Sequence, residues 1–233
     1  MAAAIMGGCS GQVTGPGHTP NYRVEGILVL SLATNTARMD LTLTKDSVNF
    51  KKAIVTLGST VLDTNVLGYT KEFAAGVIET TQNYQLNIHD STSLNVDLMI
   101  SIPGGLRDSV VSPVSKIYRG ETVHVVWTIS TGTDGYILAT QPPPGAISDS
   151  VFSAYFNDTQ GSIIPDPFRI NDMAVSGKHT IFVAAFTGAP TQLPAVPFLI
   201  PVANNPADNV SKKILFGRLA GMVVAVPDSI IVP

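Results

Sequence analysis

The strongest constraint on the fold of this chain is the alternation of apolar and polar residues along its sequence. Apolar side chains occupy every second position in several short stretches of the N-terminal half, and turn-forming residues such as Asp46-Ser47 and Asp90-Ser91 separate these stretches. A period of two places one face of a β-strand in a core and the other in water. The pattern therefore predicts an all-β fold of short strands joined by tight turns, with strands at 39–43, 53–57, 84–88 and 96–100.

The composition is that of a globular chain. Hydrophobic residues make up 45% and charged residues 13% of the 233 residues, and so low a charge argues against intrinsic disorder. A chain of this length forms one large or two ordinary domains. Its 14 basic and 17 acidic side chains give a formal net charge of -3, and basic residues adjoin one another only in pairs such as Lys51-Lys52 and Lys212-Lys213. We therefore expect no nucleic-acid partner, which would need a larger basic cluster.

A break in the alternation divides the chain into two units. The segment Ile102-Pro103-Gly104-Gly105 stops a strand, because proline lacks a ladder donor and two glycines follow it. The alternation resumes at 123–129. We predict two tandem antiparallel β-sandwiches, at 21–103 and 104–233, after a short flexible N-terminal tether at 1–20.

The second unit resembles a fibronectin type III or related immunoglobulin-like domain. The residues that carry the resemblance are Trp127 as the core indole of the second strand, Tyr136 on the third strand and the run 177–183 as the sixth. In this family a tyrosine hydroxyl at the start of the sixth strand usually bonds back to the preceding loop. His179 occupies that position here, and Tyr84 stands at the matching position of the first unit. The resemblance implies immunoglobulin-like sandwiches that act as non-catalytic binding or scaffold modules.

The only cysteine of the chain, Cys9, follows Gly7-Gly8 and precedes a stretch rich in glycine and proline. This arrangement resembles the cleavage box of bacterial lipoproteins, in which the cysteine becomes the lipidated first residue. Met6 replaces the usual Leu, Val or Ile, and the expected signal peptide would begin upstream of this sequence. The resemblance implies a protein of the cell envelope that faces the periplasm or cell exterior and is held at a membrane by a lipid anchor at Cys9. The alternative is a flexible start with an incidental cysteine.

A long proline-rich loop is predicted at 187–209. It contains five prolines, which deny a sheet its donors, and it encloses the apolar run 195–200. Loops of this length are usually functional or disordered, and the apolar content favours a function. We expect a partner to contact Val196, Phe198, Leu199 and Ile200. The alternative is that these side chains fold back to cover an edge of their own sandwich.

The residues that could carry chemistry are dispersed. His18, His89, His124 and His179 lie far apart, without further ligands at metal-binding spacing, and no Gly-x-Ser-x-Gly motif occurs. We therefore predict no catalytic residue, no metal ligand and no cofactor. Two Asn-Asp pairs, at 157–158 and 171–172, could offer oxygens to calcium, but calcium takes about six to eight ligands and turn formation is the favoured interpretation.

The function predicted from the sequence is that of a non-catalytic, protein-binding or scaffold lipoprotein, with another envelope protein as its partner. An accessory carbohydrate-binding protein is the alternative, because aromatic residues cluster at Phe152, Tyr155, Phe156 and Phe168. Core packing is the competing explanation for that cluster. A hydrolase that uses loop carboxylates is the third interpretation.

Overall fold

The computed structural model describes residues 21–106, 110–112, 116–145, 152–156, 166–169, 176–202 and 206–233. Throughout these ranges the regular secondary structure consists of β-strands, and no helix occurs in them. The all-β class predicted from the alternation is therefore confirmed. The predicted tether at 1–20, with Cys9 and His18, lies outside the described residues.

The first unit contributes two sheets. A four-stranded sheet has the order β5-β4-β8-β9, and β1, β2, β7 and β6 are neighbours in a second sheet, where β3 also pairs with β2. The bounds of these strands are β1 Tyr22–Ser31, β2 Thr36–Lys45, β3 Val48–Asn49, β4 Ile54–Leu57, β5 Thr60–Val61, β6 Asp63–Thr64, β7 Tyr69–Phe73, β8 Asn83–His89 and β9 Asn95–Ser101.

The second unit repeats this arrangement. Strands β10, β11 and β14 form a three-stranded sheet, and β13-β12-β15-β17 form the other layer, with β16 on β17 and β18 on β15. The bounds are β10 Val110–Ser112, β11 Thr122–Val126, β12 Gly135–Gln141, β13 Ser153–Phe156, β14 Asp166–Arg169, β15 Gly177–Gly188, β16 Val210–Ser211, β17 Leu215–Val224 and β18 Asp228–Val232.

A parallel ladder joins the two units edge to edge. Strand β1 pairs with β17 over ten consecutive positions, from Tyr22 with Leu215 to Ser31 with Val224. One sheet thus runs β13-β12-β15-β17-β1-β2-β7-β6 across the two predicted domains. Within each unit the ladders between the described strands are antiparallel, as in the predicted sandwiches, and the parallel β1–β17 ladder joins a sheet of one unit to a sheet of the other. Alternation identifies the buried face of a strand but leaves its edge partner open, which is why the ladder was missed.

The connection between the units is tied down. Gly104 forms an isolated bridge with Thr131, and its N–H donates to the Thr131 carbonyl oxygen at 2.9 Å. The buried Ser130 hydroxyl donates to the Gly104 carbonyl oxygen at 2.5 Å, and Thr128 Oγ1 donates to the Gly105 carbonyl oxygen at 2.9 Å. Gly104 allows the connection to lie close against Thr81, since a Cβ on Gly104 would lie 2.1 Å from Thr81 Cγ2. The connection is therefore held in contact with the fold and is not a loose joint.

The aromatic core residues lie where the sequence predicts them. Trp127 is 2% exposed, and its ring centroid lies 5.6 Å from that of Tyr136 and 6.0 Å from that of Phe156. The hydroxyl of Tyr84 accepts the Glu79 N–H at 2.6 Å, which is the backbone bond expected of a tyrosine at the start of this strand. His179 is buried in the second unit.

Candidate functional site

The proline-rich segment crosses the outer face of the joined sheet. Val196, Phe198 and Ile200 are buried, while Leu199 is 50% exposed. Their side chains alternate inward and outward, so the four residues do not form one exposed patch. The structure therefore shows the folded-back alternative for three of the four predicted contact residues, and it leaves Leu199 at the surface.

The three buried side chains complete a second hydrophobic core. The ring centroids of Phe198 and Phe182 lie 5.4 Å apart at an interplanar angle of 41°. The segment covers a face of the sheet rather than the edge expected from the sequence, and this cover explains why 27–30 is buried without alternation. The other buried members of this cluster are Ile27, Val29, Ile137, Ala139, Ala184, Phe186, Leu193, Ala220, Met222 and Val224.

Side chains provide the hydrogen bonds that a ladder would otherwise give to this segment. Gln192 acts as a clamp, since its Nε2 donates to the Phe198 carbonyl oxygen at 3.2 Å and its Oε1 accepts the Ile200 N–H at 2.7 Å. Ser153 Oγ on β13 donates to the Leu199 carbonyl oxygen at 2.6 Å. The backbone around Leu199 is thus held from both sides, which satisfies polar groups near a buried surface. Neither Gln192 nor Ser153 belongs to a recognisable local motif, so the sequence alone does not identify their roles in holding this segment.

A shallow groove lies beside Leu199. Its volume is about 450 Å³, and its walls include Pro142, Pro143, Pro144 and Pro197 as well as Leu199. Prolines have a fixed φ and lose little conformational freedom on binding. This groove, called the proline groove below, is therefore a preformed surface of mixed character, with Thr140, Gln141 and Gln192 also in its walls, next to the one exposed residue of the predicted contact set.

Several loop carboxylates have structural partners. Asp208 lies 2.7 Å from Arg23 Nη1 and 2.9 Å from Arg218 Nε, and the hydrogen bonds from Arg23 and Arg218 lower the pKa of its carboxyl. Asp134 accepts the Gly188 N–H at 2.7 Å. These contacts hold turns and strands together.

Asp90 stabilises the turn between β8 and β9. Burial by itself would raise the pKa of this carboxyl, but the N–H groups of Leu94, Thr92 and Ser93 donate to it and bring the pKa well below its ordinary value. The hydroxyl of Tyr22 also donates to Asp90 at 3.0 Å.

Within the described ranges, no group of three or more His, Cys, Asp or Glu side chains could hold a metal ion. The Asn-Asp pairs at 157–158 and 171–172 lie outside those ranges.

The aromatic cluster is packed into the fold. Tyr155 meets Phe186 edge to face with centroids 5.6 Å apart, and Phe156 lies against Trp127. Burial raises the pKa of Tyr155 to about 12 despite the nearby charge of Arg218. The side chain of Phe168 lies outside the description. Core packing thus accounts for the contacts of Tyr155 and Phe156. This is the explanation that competed with carbohydrate binding for the aromatic cluster.

No family model and no curated protein matches this chain. Solved structures with detectable similarity include the FN1-FN3 domains of chicken CNTN1, at 11% identity and a TM-score of 0.26, covering 70% of this chain and 58% of that chain. A two-domain fibronectin type III segment of chicken tenascin gives 12% identity and a TM-score of 0.27, with coverages of 64% and 83%. The fibronectin(III)-like modules of Clostridium thermocellum CbhA give 14% identity and a TM-score of 0.26, with 88% of each chain covered. The chain thus spans less than two thirds of the CNTN1 fragment.

The described part of the chain contains no helix with the length and apolar character that a membrane crossing would need.

Proposed function

We propose that this chain is a non-catalytic lipoprotein of the cell envelope that acts as a protein-binding or scaffold module. The observation that carries the proposal is the ten-residue parallel ladder between β1 and β17. Domains in one chain normally move relative to each other unless their interface is large and hydrophobic. Here a continuous sheet and a shared hydrophobic cluster connect the units. Such a body holds its surfaces at fixed separations, which is what a scaffold requires.

The proline groove is the proposed contact surface for a protein partner. Leu199 is exposed, yet its backbone is fixed by Ser153, and its neighbour Ile200 is fixed by Gln192. An apolar side chain on an immobilised backbone binds with little loss of conformational freedom. A protein segment with apolar side chains fits this surface better than a glycan, for which stacked exposed rings would be needed.

Attachment at the envelope is proposed to occur through a lipid on Cys9. Expression of the gene from its native locus in a bacterial host should place the protein in the detergent phase, and Cys9→Ser should release it. One acyl chain gives only marginal membrane binding, so at least two chains are expected on a stably anchored protein. Equal membrane association of both proteins would contradict the lipid anchor.

Site-specific photocrosslinking tests the contact surface. A photoreactive residue is placed at Leu199 in the full chain, and the matched control carries it at Val77, which is similarly exposed at 52% and lies in the first unit. We expect one discrete protein adduct from position 199 and none from position 77. Adducts of the same size and yield from both positions, or none from position 199, would contradict the proposed partner site.

A further inference from the structure

One end of the first sandwich collects lysines that are far apart in the sequence. The N–H of Tyr22 donates to the Ile214 carbonyl oxygen at 2.8 Å, which brings the turn before β17 beside the start of β1. Tyr22 also pairs with Lys45 at the end of β2. This end, called the lysine end below, carries five of the eight lysines of the chain: Lys45, Lys51, Lys52, Lys212 and Lys213.

The charge of the lysine end is opposite in sign to that of the whole chain. The five lysines outnumber the acidic side chains in the neighbouring turns, which are Asp46, Asp63, Asp90 and Asp97, and Asp63 is paired with Lys71 at 3.0 Å, whereas the formal charge of the chain is -3. Asp46 accepts the Asn21 N–H at 3.0 Å, and Asp90 accepts the N–H groups of its own turn. Lys51, Lys52, Lys212 and Lys213 are all exposed to solvent.

An aliphatic pair projects beside these lysines. Val66 and Leu67 form the tip of the hairpin between β6 and β7, and they are 83% and 56% exposed. Asn65 Oδ1 fixes the tip by accepting the N–H groups of Leu67 at 2.8 Å and Gly68 at 2.9 Å. Lys51 Nζ donates to the Val66 carbonyl oxygen at 2.6 Å, so an ammonium group lies directly against the apolar tip. Hairpin tips ordinarily carry Gly, Asn or Asp.

The N-terminal segment joins the fold at the same end. Asn21 and Asp46 exchange backbone and side-chain hydrogen bonds, with the Asp46 N–H donating to the Asn21 carbonyl oxygen at 2.8 Å. Any membrane attachment through residues 1–20 is therefore connected to the folded part of the chain at the lysine end.

We propose that the lysine end is a membrane-facing surface that docks on an anionic lipid bilayer, with Val66 and Leu67 among the lipid headgroups. Lysines near an anionic membrane strengthen binding roughly fivefold each. Burial of an exposed aliphatic side chain adds about tenfold. A polyanion without an apolar layer would use the lysines but leave Val66 and Leu67 in water, which is why a lipid surface is the better match. This inference rests on the proposed envelope location, but it does not require the lipid on Cys9.

The test uses the full chain with Cys9→Ser, so that a failure of lipidation cannot affect the result. Co-sedimentation is measured with vesicles of phosphatidylcholine and phosphatidylglycerol, and with phosphatidylcholine alone, over a range of salt concentrations. The apolar variant is V66S/L67S, and its matched control is V77S/V226S, which removes two exposed aliphatic side chains elsewhere. The charge variant is K212Q/K213Q. Circular dichroism and thermal melting confirm that each variant is folded.

We expect salt-sensitive binding to the anionic vesicles, at least a tenfold loss in V66S/L67S and about a 25-fold loss in K212Q/K213Q. The control V77S/V226S should bind as the parent does. The proposal is overturned if the parent ignores anionic vesicles, or if V66S/L67S binds as well as its control. Binding that depends on the lysines alone would show that the surface binds anionic groups in general. That result would also contradict the proposal that Val66 and Leu67 dock among the lipid headgroups.

Discussion

Gly217 is the position at which the joint between the two sandwiches is most sensitive to a single methyl group. It lies on β17 opposite Val24 of β1, and its φ is 138°, in a region that L side chains rarely adopt. A Cβ built on Gly217 would lie 1.9 Å from the Val24 carbonyl oxygen and 2.9 Å from the Val24 carbonyl carbon. These are backbone atoms of the ladder, so they cannot move aside without breaking its hydrogen bonds.

Gly217→Ala should therefore destabilise the protein by about 2–6 kcal/mol. Holding a non-glycine residue at such a backbone conformation costs about 1–3 kcal/mol, and forcing extra volume into a packed site costs roughly 1–3 kcal/mol more. The matched control is Gly58→Ala. Gly58 also has a positive φ, of 57°, but nothing lies within 4 Å of its added Cβ. Only the conformational cost of about 1–2 kcal/mol applies there.

Urea denaturation gives the free energy of unfolding of both variants. Spin labels at Ser59→Cys and Lys178→Cys, in a Cys9→Ser background, report the distance between the units. We expect Gly217→Ala to lose at least 1 kcal/mol more than Gly58→Ala, and its distance distribution to broaden as the ladder opens. Equal losses in the two variants, with an unchanged distance distribution, would refute the claim that the ladder tolerates only glycine there.

Three further predictions concern the cores and one turn. Trp127→Ala should cost about 3–5 kcal/mol, because the indole is 2% exposed and its loss leaves a cavity; a parent emission spectrum typical of solvent-exposed tryptophan would contradict this. Phe198→Ala should cost about 3–4 kcal/mol by urea denaturation, since Phe198 packs on Phe182, whereas Leu199→Ser should change stability by less than about 1 kcal/mol; similar losses in the two variants would argue against their opposite orientations. The lowered pKa of Asp90 adds stability above its unfolded pKa of about 3.9, and this contribution is lost as the pH falls through the lower folded value. Thermal melting from pH 7 downward should therefore show a weaker acid dependence in Asp90→Asn, and identical pH profiles would count against this role of Asp90.

The predicted contact residues show how far a local pattern reaches. The run 195–200 is apolar, contains Pro197 and is flanked by Pro194 and Pro201, and these facts correctly indicate an extended segment without a ladder. They do not reveal what covers the segment. Phe198 is buried against Phe182 of β15, and Ser153 holds the backbone at Leu199 while the Leu199 side chain faces solvent. Both partners are remote in sequence.

The lysine end shows the same limit for charge. Lys51-Lys52 and Lys212-Lys213 are ordinary pairs in the sequence, and neither pair predicts a basic surface by itself. They share one end of the body because β1 pairs with β17 and β2 with β1, so that the turns beside these strands meet.

The sequence by itself determined the β class and the buried position of Trp127. Each of these depends on local periodicity or on a residue's place within one strand, and hydrophobic burial acts on that pattern directly. Only the tertiary structure decided that β1 joins β17, that Val196, Phe198 and Ile200 close a second core, and that the lysines gather at one end. The physical reason is that open strand edges carry the same backbone donors and acceptors whatever their side chains, so the choice of partner is made by the packing of the whole molecule.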